Sequence, residues 1–180
     1  MAYPFIVFEG VDGSGKTTIA KALAERIGAH YYYNPPAVLR PFRTYADASS
    51  PKIRFRYCSL GNRIASLHIR WLLRTRPVVC DWYVFSTIAY HSVLLGVKLP
   101  MPGRTLMPDR IVRTRADWDE ISRRLTERGK VSKYEELEFL KQVSPEYDRI
   151  FSGMENLIEL DSSGKTVAES VDELVLRFGR

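Results

Sequence analysis

The chain carries a glycine-rich run followed by a lysine and two threonines close to its first residue. Three glycines, Gly10, Gly13 and Gly15, can turn successive backbone N–H groups towards one anion, because they lack a side chain and accept positive φ. Lys16 adds a positive charge suited to β- and γ-phosphates, and the hydroxyl of Thr17 is a ligand for Mg²⁺. The pattern predicts a phosphate-binding loop for a nucleoside triphosphate. Its candidate residues are Gly10, Val11, Asp12, Gly13, Ser14, Gly15, Lys16, Thr17 and Thr18.

The flanks of this loop have the periodicities that a phosphate-binding loop requires. Residues 4–8 form an apolar run typical of a buried strand, and residues 16–27 repeat apolar side chains at helical spacing. A helix that begins at the loop directs its first N–H groups at the bound anion. A chance match is the alternative, and the correct flanks on both sides argue against it.

Strand and helix patterns alternate along the chain, which is typical of a parallel sheet covered by helices on both faces. We therefore expect one α/β domain over residues 1–180, with a five-stranded parallel sheet. The prolines concentrate in two segments that are predicted to be irregular loops over the site, residues 34–51 and 96–108. The predicted strands are residues 4–8, 30–33, 78–81, 110–112 and 157–160. The predicted helices are residues 16–27, 51–73, 87–95, 117–128, 135–151 and 167–178.

Composition limits the classes of protein to which the chain can belong. With 180 residues, 45% of them hydrophobic, the chain is long enough to bury one sizeable core. Its two cysteines, Cys58 and Cys80, indicate free thiols in a reducing cytoplasm rather than a disulfide or a metal site. The early position of the loop leaves no room for a cleavable signal, and no uncharged run approaches the roughly 18 residues of a membrane span. We expect a soluble cytoplasmic protein without a membrane partner.

The net charge of +6 would suit a nucleic acid partner, since basic surfaces attract phosphates. However, acidic residues are interspersed with the arginines of residues 104–128, and no basic run is interleaved with aromatic residues. Residues 117–127 fit either a solvated, salt-bridged helix face or a phosphate-handling role, and both interpretations stay open. Nucleic acid is therefore not the expected partner.

Asp81 follows the apolar residues of the third predicted strand, where the carboxyl ends of a parallel sheet place ligand-binding residues. An acid at this position can reach Mg²⁺ held by Thr17 through a water molecule. The alternative is an N-cap for the next helix, a common role for aspartate. Thr17 and Asp81 are the candidate metal ligands.

Several motifs in chain order resemble those of the thymidylate kinase family. Residues 9–13 match the Glu-Gly-x-Asp-Gly of its phosphate loop. Residues 81–91, Asp-Trp-Tyr-Val-Phe-Ser-Thr-Ile-Ala-Tyr-His, are similar to its second signature, which is Asp-Arg-Tyr followed by Ser and then Ala-Tyr. Residues 123–135 look like its lid region, which closes over the triphosphate. The resemblance covers nearly the whole chain and implies a three-layer P-loop NTPase fold with a lid at about residues 128–136.

The resemblance implies Mg²⁺-dependent transfer of the γ-phosphate of ATP to a nucleoside 5′-monophosphate, in the family's case dTMP to dTDP. By position, it implies that Asp12 holds the sugar 3′-hydroxyl and that Arg63 faces the acceptor base. Tyr90 would press on the sugar 2′ position and disfavour ribonucleotides, and His91 would contact the base or the sugar. The implied lid cations are Arg128, Lys130 and Lys133. The candidate catalytic residues are Lys16, Asp12, Arg128 and Lys133.

Three positions depart from the family pattern, two at the acceptor site and one in the lid. Trp82 stands where the family has an arginine that clamps the acceptor phosphate, so another cation must replace it or the acceptor differs. Arg40 and Arg43 are candidates for that cation, although either fits a solvated surface equally well. Ser59 stands where the family has an aromatic residue that stacks on the base. In the lid, Lys133 replaces a planar arginine fork by a point charge.

The leading hypothesis is a monophosphate kinase, and the sequence leaves two alternatives open. The first is a kinase for a nucleoside or another small molecule, whose acceptor lacks the phosphate that an arginine at residue 82 would bind. The second is a nucleotide-binding regulator or nucleic-acid-binding module with poor turnover. A homodimer through the apolar residues of 55–73 is also left open, because an internal core explains those residues as well.

Overall fold

The computed structural model describes residues 3–129 and 132–179. Five parallel strands form one sheet in the order β2-β3-β1-β4-β5. The strands are β1 (Phe5–Glu9), β2 (His30–Tyr33), β3 (Val78–Asp81), β4 (Arg110–Arg115) and β5 (Leu157–Asp161). The central strand β1 pairs with β3 and β4, and Phe8 is in register with both Asp81 and Val112. The loops that follow β1, β3 and β4 therefore meet at one edge of the sheet.

Helices cover both faces of the sheet, as predicted. They are α1 (Lys16–Arg26), α2 (Arg43–Ala48), α3 (Pro51–Leu72), α4 (Val84–Leu95), α5 (Trp118–Arg128), α6 (Leu137–Phe151) and α7 (Val167–Phe178). Side chains of β1 alternate between two cores, because successive strand residues point to opposite faces. Ile6 and Phe8 pack with α1 and α7, whereas Phe5 and Val7 pack with α3, α4 and α6.

The structure corrects the prediction that residues 34–51 are irregular. They contain a 3₁₀-helix (Ala37–Phe42) and then the short helix α2. Helices this short carry no readable periodicity, and α2 is stabilised by a local ion pair in which Arg43 Nε lies 2.7 Å from Asp47 Oδ2. The second predicted loop, residues 96–108, is confirmed to contain neither helix nor strand.

Two element boundaries also differ from the prediction, for tertiary reasons. Helix α4 begins three residues early, at Val84, because the carboxylate of Glu9 accepts a hydrogen bond from the backbone N–H of Tyr83 at 3.1 Å. Strand β4 continues to Arg115, because it pairs with β5 as far as Asp161. Neither partner is close in sequence. Within the described residues, no helix is long and apolar enough to cross a membrane.

Candidate active site

The phosphate-binding loop joins β1 to α1, and its glycines hold it close to β4. Gly10, Gly13 and Gly15 have positive φ angles of 139°, 83° and 83°. A Cβ atom on Gly10 would lie 2.4 Å from the carbonyl oxygen of Thr114, so only glycine fits there. The hydroxyls of Thr114 and Ser14 are hydrogen-bonded at 2.8 Å, which ties the loop to the sheet. The loop is thus a fixed cradle at the N-terminus of α1.

Lys16 is buried at the first position of α1, with 3% of its surface exposed. Its Nζ donates to the carbonyl oxygen of Val11 at 3.2 Å and to Asp12 Oδ1 at 3.1 Å. The same ammonium lies 4.2 Å from the centre of the Trp82 ring, a cation–π contact. These local partners keep the ammonium beside the loop, where phosphate oxygens can replace them.

Asp81 ends β3 and is fully buried beside the loop. Its Oδ2 accepts a hydrogen bond from Tyr31 at 2.9 Å, and its Oδ1 has no partner within the described residues. Burial raises the pKa of Asp81, and the charge of Lys16, the nearby Thr17 hydroxyl and the hydrogen bond from Tyr31 oppose that shift. A free carboxylate oxygen near a threonine hydroxyl fits Mg²⁺, which prefers oxygen ligands and retains water. No group of three His, Cys, Asp or Glu forms a metal cage in the part described, so phosphate oxygens would have to complete the coordination.

A cavity of about 310 Å³ lies on the α5 and α7 side of the loop, and we call it the donor cavity. Arg124 from α5 lies in its wall and donates to the Oγ and to the carbonyl oxygen of Ser162, each at 2.9 Å. It also donates to the carbonyl oxygen of Gly13 at 3.3 Å. Ser162 in turn donates to the carbonyl oxygen of Ser14 at 3.0 Å. Arg124 therefore connects the loop to the end of β5.

A larger cavity of about 590 Å³ lies on the other side of the loop, between α2, α3 and α4, and we call it the acceptor cavity. The hydroxyl of Tyr90 donates to Asp12 Oδ2 at 3.0 Å and accepts from the backbone N–H of Asp12 at 3.2 Å. The Asp12 carboxylate is thus shared between Tyr90 on one oxygen and Lys16 on the other. This carboxylate marks the boundary between the two cavities.

Arg54, Asp47 and His91 form a cluster in the wall of the acceptor cavity. This part of the wall lies farther along α4 from the phosphate-binding loop than Tyr90 does. Arg54, 5% exposed, donates from Nε to Asp47 Oδ1 at 2.8 Å, while Asp47 also binds Arg43. The Nδ1 of His91 lies 2.7 Å from the carbonyl oxygen of Thr87, so Nδ1 carries the proton and Nε2 accepts from Arg54 Nη1 at 3.2 Å. Burial, aided by Arg54, lowers the pKa of His91 to about 4, which keeps the ring neutral.

The same cluster touches the segment that follows α5. The guanidinium of Arg54 lies 3.9 Å from the centre of the Tyr134 ring, and the hydroxyl of Tyr134 donates to the carbonyl oxygen of Asp47 at 3.1 Å. Arg128 is ion-paired with Glu135 and lines both cavities. This segment therefore reaches across the top of the acceptor cavity to α2 and α3.

Glu9 is buried beneath the phosphate-binding loop. Its carboxylate accepts hydrogen bonds from the backbone N–H of Tyr83, from Ser86 Oγ and from the Tyr147 hydroxyl. Burial raises the pKa of Glu9 from 4.5 to about 7, although hydrogen bonds from Ser86 and Tyr83 and the charge of Lys16 oppose the shift. Glu9 joins the loop to α4 and α6.

The structure brings most of the predicted site residues together. Asp12 and Thr17 line both cavities. Trp82, Tyr90 and His91 line the acceptor cavity. Asp81 lies beside them at the end of β3.

Two residues predicted to bind the acceptor lie elsewhere. Arg63 is exposed and lines a separate groove beside residues 102–105, outside the acceptor cavity, so its contact with the acceptor base stays a prediction. The physical reason is the rotation of α3, since nine residues correspond to about 2.5 helical turns and place residues 54 and 63 on opposite faces. Ser59 lines that separate groove as well. Arg40 is exposed and packs over the Tyr33 ring at 5.4 Å, outside the wall of the acceptor cavity.

Of the predicted lid cations, Arg128 lies at the two cavities and Lys133 does not. Lys133 is exposed, lies 5.0 Å from the centre of the Tyr134 ring and lines neither cavity, so its catalytic role stays a prediction. Arg128 lines both cavities. Lys130 lies outside the described residues.

Sequence reasoning missed Arg54, Arg124 and the central position of Glu9. Arg54 and Arg124 each lie on a helix that carries several arginines, and only the packing shows which of them face a cavity. The signal for Glu9 was its position as an acid at the end of an apolar strand, where burial without a partner would be costly.

Comparison with known proteins finds similarity over most of the chain. The chain matches the thymidylate kinase family over residues 8–174. A probable thymidylate kinase of Methanococcus vannielii is 32% identical over 185 residues, which cover 94% of this chain and 92% of the relative. A probable thymidylate kinase of Methanocaldococcus jannaschii is also 32% identical, with coverages of 95% and 93%.

Solved structures share the fold. The thymidylate kinase of Candida albicans superposes with a TM-score of 0.78 at 20% identity, covering 99% of this chain and 92% of that one. A deoxyadenosine kinase of M. mycoides, described with dCMP and a flexible dCDP bound, superposes with a TM-score of 0.75 at 14% identity, with coverages of 97% and 98%. The two cavities thus belong to a fold found in kinases of nucleotides and of nucleosides.

Proposed function

The chain belongs to the thymidylate kinase family, and on that premise we propose that it transfers the γ-phosphate of ATP to the 5′-phosphate of dTMP. One observation carries the proposal: the donor and acceptor cavities meet at the phosphate-binding loop and share Asp12, Thr17 and Arg128 in their walls. Two phosphate esters bound in these cavities would face each other at the loop. Phosphoryl transfer needs chiefly such alignment and the neutralisation of charge.

The loop residues act on the donor. Backbone N–H groups between Gly10 and Thr18 surround the β-phosphate, and Lys16 neutralises charge on the transferring group once it leaves Asp12. Thr17 and Asp81 would hold Mg²⁺, which would neutralise phosphate charge when bound. Arg128 adds a cation at the junction of the two cavities.

Residues of the acceptor cavity position the nucleotide that receives the phosphate. The carboxylate of Asp12 binds the sugar 3′-hydroxyl, and Tyr90, fixed on Asp12, occupies the space at the 2′ position. Arg43 lines the cavity and, among the described residues, donates only from Nε, to Asp47, so its terminal nitrogens are the donors for the acceptor phosphate. Arg43 thereby compensates for the absence of an arginine at residue 82.

We propose further that residues 128–136 act as a lid within a single domain of residues 1–180. The contacts of Tyr134 with α2 and α3 support this role, because they connect the segment to the acceptor cavity. The free thiols of Cys58 and Cys80 and the use of ATP support a cytoplasmic location.

We also propose that the protein is a homodimer that packs through α3. Ile53, Leu60 and Leu67 recur every seven residues on this 22-residue helix, and Trp71 follows on the same face. These four side chains are 42%, 49%, 71% and 59% exposed, on the side opposite the core. A seven-residue apolar repeat is the pattern by which one helix packs along another, and a second copy offers the same repeat.

The test of the function is a coupled ADP-release assay with ATP and Mg²⁺. The acceptors are dTMP, dUMP, dCMP, dAMP, dGMP, UMP and thymidine. We expect turnover of dTMP, and Lys16→Ala should reduce it about 10²- to 10³-fold, as expected for loss of a group that stabilises transition-state charge. Lys21→Ala, an exposed lysine on the same helix, is the control. Turnover of thymidine without any monophosphate, or normal activity of Lys16→Ala, would contradict the proposal.

A further inference from the structure

We infer that Trp82 is a positioning residue whose ring holds the ammonium of Lys16 at the junction of the donor and acceptor cavities during phosphoryl transfer. The inference rests on the proposed function, because it concerns the same reaction. It also gives a role to a residue at which this chain departs from the family pattern. An indole carries no charge, so Trp82 cannot simply replace an arginine as the clamp of the acceptor phosphate.

Trp82 belongs to a closed cycle of four side chains around the phosphate-binding loop. The centre of its ring lies 4.2 Å from Lys16 Nζ and 5.2 Å from the centre of the Tyr90 ring. The Tyr90 hydroxyl donates to one oxygen of Asp12 at 3.0 Å, and Lys16 donates to the other at 3.1 Å. Each of the four side chains thus contacts two of the others. The ring of Trp82 therefore cannot move without disturbing Lys16 or Tyr90.

The backbone of Trp82 is held in a conformation that a bulky residue rarely adopts. Its φ angle is 65°, and among the residues that the structure describes no other residue except glycine has a positive φ. The N–H of Trp82 donates to the carbonyl oxygen of Phe8 at 3.3 Å, and the N–H of Tyr83 donates to Glu9 at 3.1 Å. Hydrogen bonds on both sides thus fix the conformation. Strain of this kind is typical of functional sites, where the surrounding structure maintains it.

The contact with Trp82 differs in kind from the other two contacts of the ammonium. Val11 and Asp12 accept hydrogen bonds from Lys16 Nζ, so phosphate oxygens compete with them for the same N–H groups. The ring attracts the positive charge through its π face instead, which leaves the three N–H donors of the ammonium available. Lys16 can therefore turn its donors to a bound triphosphate while its charge stays beside the ring. Trp82 thereby limits how far Lys16 moves when the donor binds.

A stacking surface for the acceptor base is the alternative role of an aromatic residue in this cavity. The position of the Trp82 ring argues against it. The ring lies at the loop, where the two phosphate groups would meet, and Lys16 and Tyr90 already pack against it. The two roles differ in their effect on the KM for dTMP, since only a stacking surface would contribute to acceptor binding.

The test is a double-mutant cycle of Trp82 and Lys16 in the coupled ADP-release assay. At saturating dTMP, Trp82→Leu should lower kcat/KM for ATP about 2- to 30-fold, the range for the loss of a cation–π contact, and should change the KM for dTMP by less than about twofold. In the Lys16→Ala background, Trp82→Leu should cause no further loss. Trp82→Phe should regain most of the loss, because phenylalanine keeps a π face and bears the same backbone strain as leucine. Tyr3→Leu, at an exposed aromatic residue before β1, is the control.

Three results would overturn the inference. The first is additive losses from Trp82→Leu and Lys16→Ala, which would show that the ring does not act through Lys16. The second is an equal loss in Trp82→Phe and Trp82→Leu, and the third is a main effect on the KM for dTMP. Turnover of thymidine without any monophosphate would instead contradict the proposed function, and the same cycle with thymidine as acceptor would still decide the role of Trp82.

Discussion

At the scale of single residues, Glu9 shows how burial changes the pKa of a carboxyl group. It has no surface exposure, and its pKa is raised from 4.5 to about 7. The folded state therefore binds this proton more tightly than the unfolded chain does. Its contribution to stability is fully present below pH 4.5 and is lost as the pH rises through about 7.

The resulting prediction concerns the pH profile of stability. Between these pH values, the free energy of unfolding of the wild-type protein should fall by on the order of 1–3 kcal/mol relative to Glu9→Gln, which cannot titrate. Urea denaturation at a series of pH values measures the difference. Glu155→Gln, at an exposed site, should follow the wild-type profile. Parallel profiles for wild type and Glu9→Gln would refute the prediction.

Residue patterns in the sequence predicted the phosphate-binding loop better than the wall of the acceptor cavity. The phosphate-binding loop is contiguous, so Gly10 to Thr18 could be read directly from the sequence. The acceptor wall is assembled from α2, α3 and α4, and its geometry depends on how each helix is rotated. The sequence contains both Arg54 and Arg63 on α3, and only the packing of Ala65 and Ile69 into the core decides which one faces the cavity.

At the scale of elements, the segment after α5 is joined to the acceptor wall through Tyr134. Tyr134→Ala removes the ring that packs on Arg54 and should raise the KM for dTMP about 2- to 30-fold, the range expected for a cation–π contact of 0.5–2 kcal/mol. Tyr134→Phe keeps the ring and loses only the hydroxyl, so it should stay close to wild type. Steady-state kinetics with varied dTMP at saturating ATP provides the measurement. Equal effects of the two substitutions would contradict a role for the ring.

The order of the elements was readable because the strands alternate with helices along the chain. All five predicted strands and all six predicted helices are present at the expected places, and α2 is the α-helix of the described residues that was not predicted. The early start of α4 was not readable, because the carboxylate that binds its first turn belongs to Glu9, far away in sequence. Helix α2 could not be predicted from local sequence either, because part of its stabilisation comes from another helix. Its Asp47 accepts a hydrogen bond from Arg54 of α3 as well as from Arg43 of α2.

At the scale of the whole molecule, the exposed face of α3 makes the oligomeric state testable. Replacing Leu60 and Leu67 together by aspartate places two charges in the proposed interface and should shift the protein from a dimer to a monomer. Sedimentation equilibrium should show a mass of two chains for wild type and of one chain for the variant. Leu176→Asp replaces an equally exposed leucine on α7 and should remain dimeric. A monomeric wild-type protein would rule out the dimer.

The shared carboxylate of Asp12 gives the two halves of the site an energetic coupling. Lys16 occupies Asp12 Oδ1 in the arrangement described, and a triphosphate that draws Lys16 away frees that oxygen for the acceptor sugar. Donor binding should therefore tighten acceptor binding, and by thermodynamic linkage the acceptor must tighten the donor by the same factor. Calorimetric titration of dTMP with and without a non-hydrolysable ATP analogue would measure that factor, and a value of one would mean that the two cavities fill independently.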